Sequence, residues 1–257
     1  MKIFLIGSGN VATQLGKAFK KCGHEIVFVY SRNIGHAKKL GQELKCGFGE
    51  SWEAINYFPA DVYIIAVKDD AIADVVKQMP AIKDKLVIHT SGATDISVLK
   101  KKFKNCGVLW QAQTIQMRTK VDFKKVPLVI EASTSSAEKI LRKLANDLSN
   151  KVYSFNSKQR RVLHLGAVWV NNFPNHLYVL AEALLKKHNM PFELFGPLML
   201  STVENGMKNP KAAQTGPAKR NDKKTMAAHL KLLPDKNYKT LYKLLSASIL
   251  REQNKKS

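Results

Sequence analysis

The residues best placed to do chemistry open the chain. In "KIFLIGSGNVATQLGKAF", Lys2 to Phe19, the residues Gly7, Gly9 and Ala12 stand at GxGxxA spacing directly behind an apolar run. Between a strand and a helix, each has a task. Gly7 permits the tight turn, Gly9 lets a phosphate reach the backbone, and Ala12 lets the helix pack close to the strand. Gly7, Ser8, Gly9, Asn10 and Val11 then offer free N–H groups and the positive end of a helix to a pyrophosphate. In a plain glycine turn the same spacing would hold no ligand.

The end of the second apolar run, "EIVFVYSRN", bears on which dinucleotide is taken. An NAD site usually places a carboxylate here for the ribose 2′-hydroxyl. This chain has Ser31 and Arg32 instead. A guanidinium suits a 2′-phosphate, so the expected cofactor is NADP. An ordinary surface arginine is the alternative. Ligands of an open parallel sheet lie beyond the carboxyl ends of its strands. That rule adds Ala66, Val67, Lys68 and Thr90 to the cofactor set. It adds Ser91 and Gly92, from "HTSGAT", and Gln113, from "WQAQT", to the substrate set. The Ser-Gly pair reads equally well as a simple turn.

The second half contributes two further groups. In "LHLGAVWVNNFPNHL", His164, Asn171 and Asn175 share one face of a helix at 100° per residue. Polar groups on an apolar helix are costly if buried without partners. They therefore either satisfy one another in a core or line a wet cleft. In a cleft, His164 is the natural proton donor, and Asn171 and Asn175 orient a substrate. The turn "QTGPAKRND" supplies Thr215 and Arg220. Arg220 suits a carboxylate or phosphate, or it pairs with Asp222.

The elements that must position these groups follow from periodicity. Apolar runs at Lys2–Ile6, Glu25–Tyr30, Asp61–Val67 and Lys85–Thr90 read as strands, as do "GVLW", "PLVIEA" and "KVYSF". Helical patterns alternate with them, and Ser135 and Glu138 stand at capping-box spacing. Strands end at Phe155. Lys158 to Lys187 then reads as one long helix interrupted by Pro174, and only helices follow. The expected fold is α/β: a doubly wound Rossmann domain over residues 1–156, then an all-α domain over 157–257 for substrate and dimer contacts.

Composition bounds the rest. The chain has 257 residues, 45% of them hydrophobic, and a formal net charge of +22 from 42 basic and 20 acidic groups. Lysine dominates and is scattered, without the basic blocks and interleaved aromatics of a nucleic-acid surface. No nucleic-acid partner is expected, although the charge favours anionic ligands. No apolar run approaches the ~20 residues of a membrane helix, and the N-terminal strand lacks a signal peptide's pattern. The three cysteines are unpatterned, which indicates neither a disulfide framework nor a metal site. The cytoplasm is the expected compartment.

The stretches "GSGNVATQLG", "DVYIIAVKDDAI", "VIHTSGAT", "QTI", "LHLGAVWVNNFPNHLY" and "QTGPAKRND" together resemble a bacterial family of Rossmann-like oxidoreductases. Its C-terminal domain is helical and of unknown function. The family is similar to the wider 6-phosphogluconate-dehydrogenase-like superfamily, which includes pyrroline-5-carboxylate reductase and ketopantoate reductase. The resemblance implies NADP binding, a homodimer through the C-terminal helices and an active site between the domains. Superfamily dehydrogenases often carry a lysine four residues before the asparagine of the long helix. Here that position is Ala167. Trp110 and Gln111 stand where the family tends to have Tyr-Pro. The expected function is NADPH-dependent reduction of a small anionic carbonyl or imine. The competing expectation is an NADP-binding sensor or assembly protein without turnover.

Overall fold

The computed structural model describes residues 1–117 and 121–255. Among them, eight strands form one sheet. They are β1 (Lys2–Ile6), β2 (Glu25–Tyr30), β3 (Gly47–Gly49), β4 (Val62–Ile65), β5 (Leu86–His89), β6 (Cys106–Gln111), β7 (Leu128–Ala132) and β8 (Val152–Ser154). Their spatial order is β3-β2-β1-β4-β5-β6-β7-β8. The first six are parallel; β7 runs antiparallel to β6, and β8 parallel to β7.

Alternation along the strands builds two cores. Ile3, Leu5, Val62, Ile64, Leu86 and Ile88 face one side. There they meet α1 (Asn10–Lys21) through Ala12, Leu15 and Phe19, and α6 (Ser135–Leu148) through Leu141 and Leu144. Phe4, Ile6, Tyr63, Ile65 and Val87 face the other side. They pack on α4 (Ile72–Gln78) and on Leu99 of α5 (Ser97–Lys100). Two-sided coverage explains why β4 and the first three residues of β5 are apolar.

Register then aligns the chemistry. Ile6 pairs with Tyr30 and with Ile65, Ile65 with His89, and His89 with Val108. The residues that follow, beginning with Gly7, Ser31, Ala66 and Thr90, therefore emerge along a single edge of the sheet.

Three local details depart from the sequence expectation. The cap of α6 is Thr134, whose hydroxyl accepts from Ala137 N, and Ser135 is already helical. Only Thr134 has the extended backbone (φ −141°, ψ 158°) that a cap requires. A three-residue edge strand, β3, follows α2 (Ile34–Leu44). The long helix is α7 (Ser157–Ala167), a π turn over Val168–Asn172, and α8 (Phe173–Lys187). Pro174 has no N–H to continue an α ladder, and the wider turn ahead of it is the local adjustment.

Two compact units result, Met1–Asn171 and Asn172–Ser257. The sequence reading set the boundary after residue 156. Helix α7 groups with the sheet because its first turn is bonded to the loop beyond β5 and to Glu131 of β7. The second unit comprises α8, α9 (Gly196–Lys208), α10 (Pro210–Ala213), α11 (Lys223–Leu232) and α12 (Lys236–Asn254). Within it, His229 Nδ1 and the Tyr242 hydroxyl lie 2.8 Å apart and tie α11 to α12.

Candidate functional site

The dinucleotide turn is built as its spacing requires. Gly7 has φ +117°, and a Cβ there would lie 2.3 Å from the Ala66 carbonyl oxygen. Only glycine fits, because β1 and β4 bring two backbones together at this point. A Cβ on Gly9 would meet nothing within 4 Å, so that side of the turn is open. Helix α1 starts from Gly9 with no side-chain cap and no acidic residue in its first turn. By contrast, Asn33, Thr134 and Asn156 cap α2, α6 and α7. The first N–H groups of α1 are thus left for an outside anion, as a pyrophosphate cradle needs.

Ser8 in this turn donates to Ser31 Oγ at 2.9 Å, and Asn33 N–H donates to the same oxygen at 3.3 Å. The two hydroxyls share one hydrogen bond, so the pair keeps one hydrogen to give. An acceptor-only group such as a phosphate is the matching ligand. Arg32 beside it is exposed, and none of the ion pairs among the described residues involves it. Behind them, Tyr30 stacks on Trp52 with ring centroids 3.8 Å apart. Along the same edge, Ala66 is buried, Val67 half-buried and Lys68 exposed. Thr90 donates its N–H to Ile65 O at 3.2 Å. These residues can hold the remainder of a dinucleotide.

The loop after β5 is shaped by its own side chains. Ser91 is buried, and its hydroxyl accepts from Ala93 N and Thr94 N at 3.1 and 2.9 Å. Gly92 leaves room for two rings. A Cβ there would fall 2.6 Å from Trp110 Cε2 and 2.9 Å from His164 Nδ1. The His164 and Trp110 rings meet edge to face, centroids 5.7 Å apart. Nδ1 of His164 is buried with no hydrogen-bond partner. Asn171 Nδ2 donates to Thr114 Oγ1 at 3.0 Å, beside the exposed Gln113. His164 and Asn171 thus both reach loops at the carboxyl edge. Asn175, Thr215 and Arg220 belong to the second unit, where all three are exposed. Asp222 caps α11, accepting from Thr225 N and from Thr225 Oγ1 at 3.0 and 2.7 Å.

Two buried groups complete the edge. Arg160 is wholly buried. Its two Nη atoms each donate to Thr94 O at 2.8 Å, and Nη2 also reaches Glu131 Oε2 and Ser157 Oγ at 3.0 Å. Burial pulls its pKa down, while Glu131 and Asp95 support the charge. His89, also wholly buried, accepts from Ser91 N at Nδ1, 3.2 Å. Burial, with the Arg160 charge second, pushes its pKa down to about 3. Neither Trp110 nor Arg160 was found as a site residue from the sequence. Arg160 stands four residues before His164, on the same helix face, and that spacing was the available signal.

A sheet opening an uncapped helix, a hydroxyl and an arginine along one edge defines a dinucleotide-binding class of protein. Residues 2–92 match the family model described as NADP oxidoreductase, coenzyme F420-dependent. Residues 126–249 match a domain of unknown function, DUF2520. A candidate NADP oxidoreductase of Bacteroides fragilis, BF3122, is 40% identical, with 97% of this chain and 98% of that one covered and a TM-score of 0.88. The chain belongs to this family of NADP oxidoreductases, a Rossmann-like domain followed by a helical one. Protein TM1727 of Thermotoga maritima shares the fold at 20% identity and a TM-score of 0.71, over 98% of this chain and 97% of that one. So does a reductive aminase of Aspergillus terreus, crystallised with NADPH4, cyclohexanone and allyl amine, at 16% identity and a TM-score of 0.73, over 98% and 94%. None of the curated proteins matches the chain.

Proposed function

We propose that this oxidoreductase reduces a small anionic carbonyl or imine compound with NADPH, His164 supplying the proton. One observation carries the reading: the His164 ring packs on Gly92, at the sheet edge where the dinucleotide turn opens. Bound NADPH supplies hydride. The chain's residues do the rest. Gly7 to Val11 take the pyrophosphate, and Ser31 and Arg32 take the 2′-phosphate. Ala66, Val67, Lys68 and Thr90 border the nicotinamide half. Hydride addition to a carbonyl leaves an alkoxide, and an imidazole within one water's reach can protonate it. Ser91 and Gly92 shape the floor beneath that point, and Gln113 and Asn171 offer amides to a polar substrate. A net charge of +22 favours an anionic one. Asn175, Thr215 and Arg220 belong to the helical unit, and the reading does not depend on them.

A homodimer is part of the same proposal. Within the helical unit, Ala218 alone among the described residues is buried. Met207 is 79% exposed, Leu200 68% and Leu198 62%. Helices this apolar without an interior of their own offset little of their ordering entropy, and a second copy provides the missing cover. The reducing cytoplasm fits Cys22, Cys46 and Cys106, all unpaired.

The rival reading, an NADP-binding protein without turnover, is favoured by Ala167 at the superfamily's lysine position. One experiment separates the two. NADPH consumption is followed with a panel of 2-oxo acids, cyclic imines and ketone–amine pairs, for the wild type and His164→Gln. The substitution should lower turnover by about 10²–10⁴, the contribution of general acid catalysis, and leave NADPH affinity alone. Full turnover per folded molecule in the variant, with lost stability, would make His164 a packing residue and put the rival ahead.

A further inference from the structure

We infer that Arg160 is a positioning residue: it clamps the loop after β5 to helix α7 and thereby sets where the nicotinamide half of the cofactor meets His164. The inference rests on the proposed placement of the nicotinamide along that loop.

The geometry is a closed junction of three elements. Arg160 sends both Nη atoms to Thr94 O, at the far end of Ser91–Thr94. Nη1 also lies 3.4 Å from Ser91 O and 3.5 Å from Gly92 O. On β7, Glu131 Oε2 accepts from Arg160 at 3.0 Å and from the Ser157 hydroxyl at 2.7 Å. Ser157 in turn accepts from Ile96 N at 3.1 Å, just past the loop. One guanidinium thus fixes the loop's carbonyls, a strand and the first turn of α7.

Position along the helix gives this junction its consequence. Ser157, Arg160 and His164 follow one another at spacings of three and four, and so share one face. Fixing Arg160 to the loop fixes the height of His164 above Gly92. The contact there is tight enough to feel a displacement, because no Cβ fits between Gly92 and the two rings. Only a planar donor with several N–H groups serves all these acceptors together; an ammonium offers a single point. The sequence has lysines in abundance, yet arginine occupies this position.

The test compares two ligands on Arg160→Lys and Glu131→Gln, both of which keep a polar group in the junction and are checked for folding by urea melts. NADPH touches the whole edge, whereas adenosine 2′,5′-bisphosphate touches only the Gly7–Val11 and Ser31–Arg32 end. Each variant should bind NADPH about tenfold more weakly, equivalent to about 1.4 kcal/mol, and bind the bisphosphate as the wild type does. Loss of affinity for both ligands in step would overturn the inference, since a merely structural role would not distinguish them. Unchanged affinity for both would overturn it as well. If the wild type itself binds NADPH no more tightly than the bisphosphate, the placement of the nicotinamide has failed, and this inference fails with it.

Discussion

Replacing His89 tests how the edge of the sheet is held. The imidazole is wholly buried, its Nδ1 accepts from Ser91 N, and its Nε2 has no partner among the described residues. Burial first, and the nearby Arg160 charge second, push its pKa from 6.5 to about 3. The unfolded chain therefore takes up a proton below pH 6.5 that the native state refuses. Stability from this group is complete above pH 6.5 and is lost as pH falls toward 3. Across the whole gap the effect is about 5 kcal/mol, at about 1.4 kcal/mol per pH unit. Between pH 7 and pH 5 it is about 2 kcal/mol. His89→Asn keeps an acceptor near the Nδ1 position and cannot titrate. Urea melts of both proteins at pH 7, 6 and 5 isolate the term, since the other titrating groups are common to both. The wild type's advantage should shrink by about 2 kcal/mol over that span. Parallel pH profiles would show that native His89 does take the proton, and would refute the account of its burial.

Gly92→Ala would put a methyl carbon 2.6 Å from Trp110 Cε2 and 2.9 Å from His164 Nδ1, against ordinary contacts of ~3.5–4.0 Å. It should cost about 1–3 kcal/mol of stability and shift the Trp110 emission; an unaltered melt and spectrum would contradict the packing described. Arg32→Ala should weaken NADPH by about 1.5–3 kcal/mol and leave NADH unchanged in calorimetry, whereas equal losses would remove Arg32 from the 2′-phosphate site. Leu200→Asp and Met207→Asp should each convert a sedimenting dimer to monomer, and a wild type that already sediments as a monomer would refute the proposed dimer.

What could be read from the sequence was local in origin. The Gly7–Gly9 turn was legible because its requirement, no Cβ beside the Ala66 carbonyl, selects the residue type directly. The central strands were legible because burial on both faces makes nearly every position apolar. The antiparallel course of β7 was not, because residue type does not encode strand direction. Edge strand β3 reads "GFG", which carries no strand signal. Ser135 and Glu138 had the right spacing for a cap, but the backbone angles of Thr134 decided the matter. Beyond its spacing to His164, nothing local marked Arg160. Its partners Thr94 and Glu131 lie 66 and 29 residues away in the chain, and only the fold brings them together.

Of the two histidines at this edge, only His164 suits the proposed role of proton donor. His89 ends β5 directly beneath the loop, and by sequence alone it is as good an acid as His164. Its surroundings remove it from that role. It has no exposed surface, its Nδ1 is engaged by Ser91 N, and it stays neutral down to about pH 3. Arg160 brings the buried positive charge of the edge and spends it on carbonyl oxygens and Glu131. A second buried cation beside it would be uncompensated and strongly disfavoured. His164 differs in standing on the helix side of the same loop, half-exposed, with only Nδ1 turned into the packing. A proton donor must take its proton back from solvent after each turnover, and of the two rings only His164 has that access.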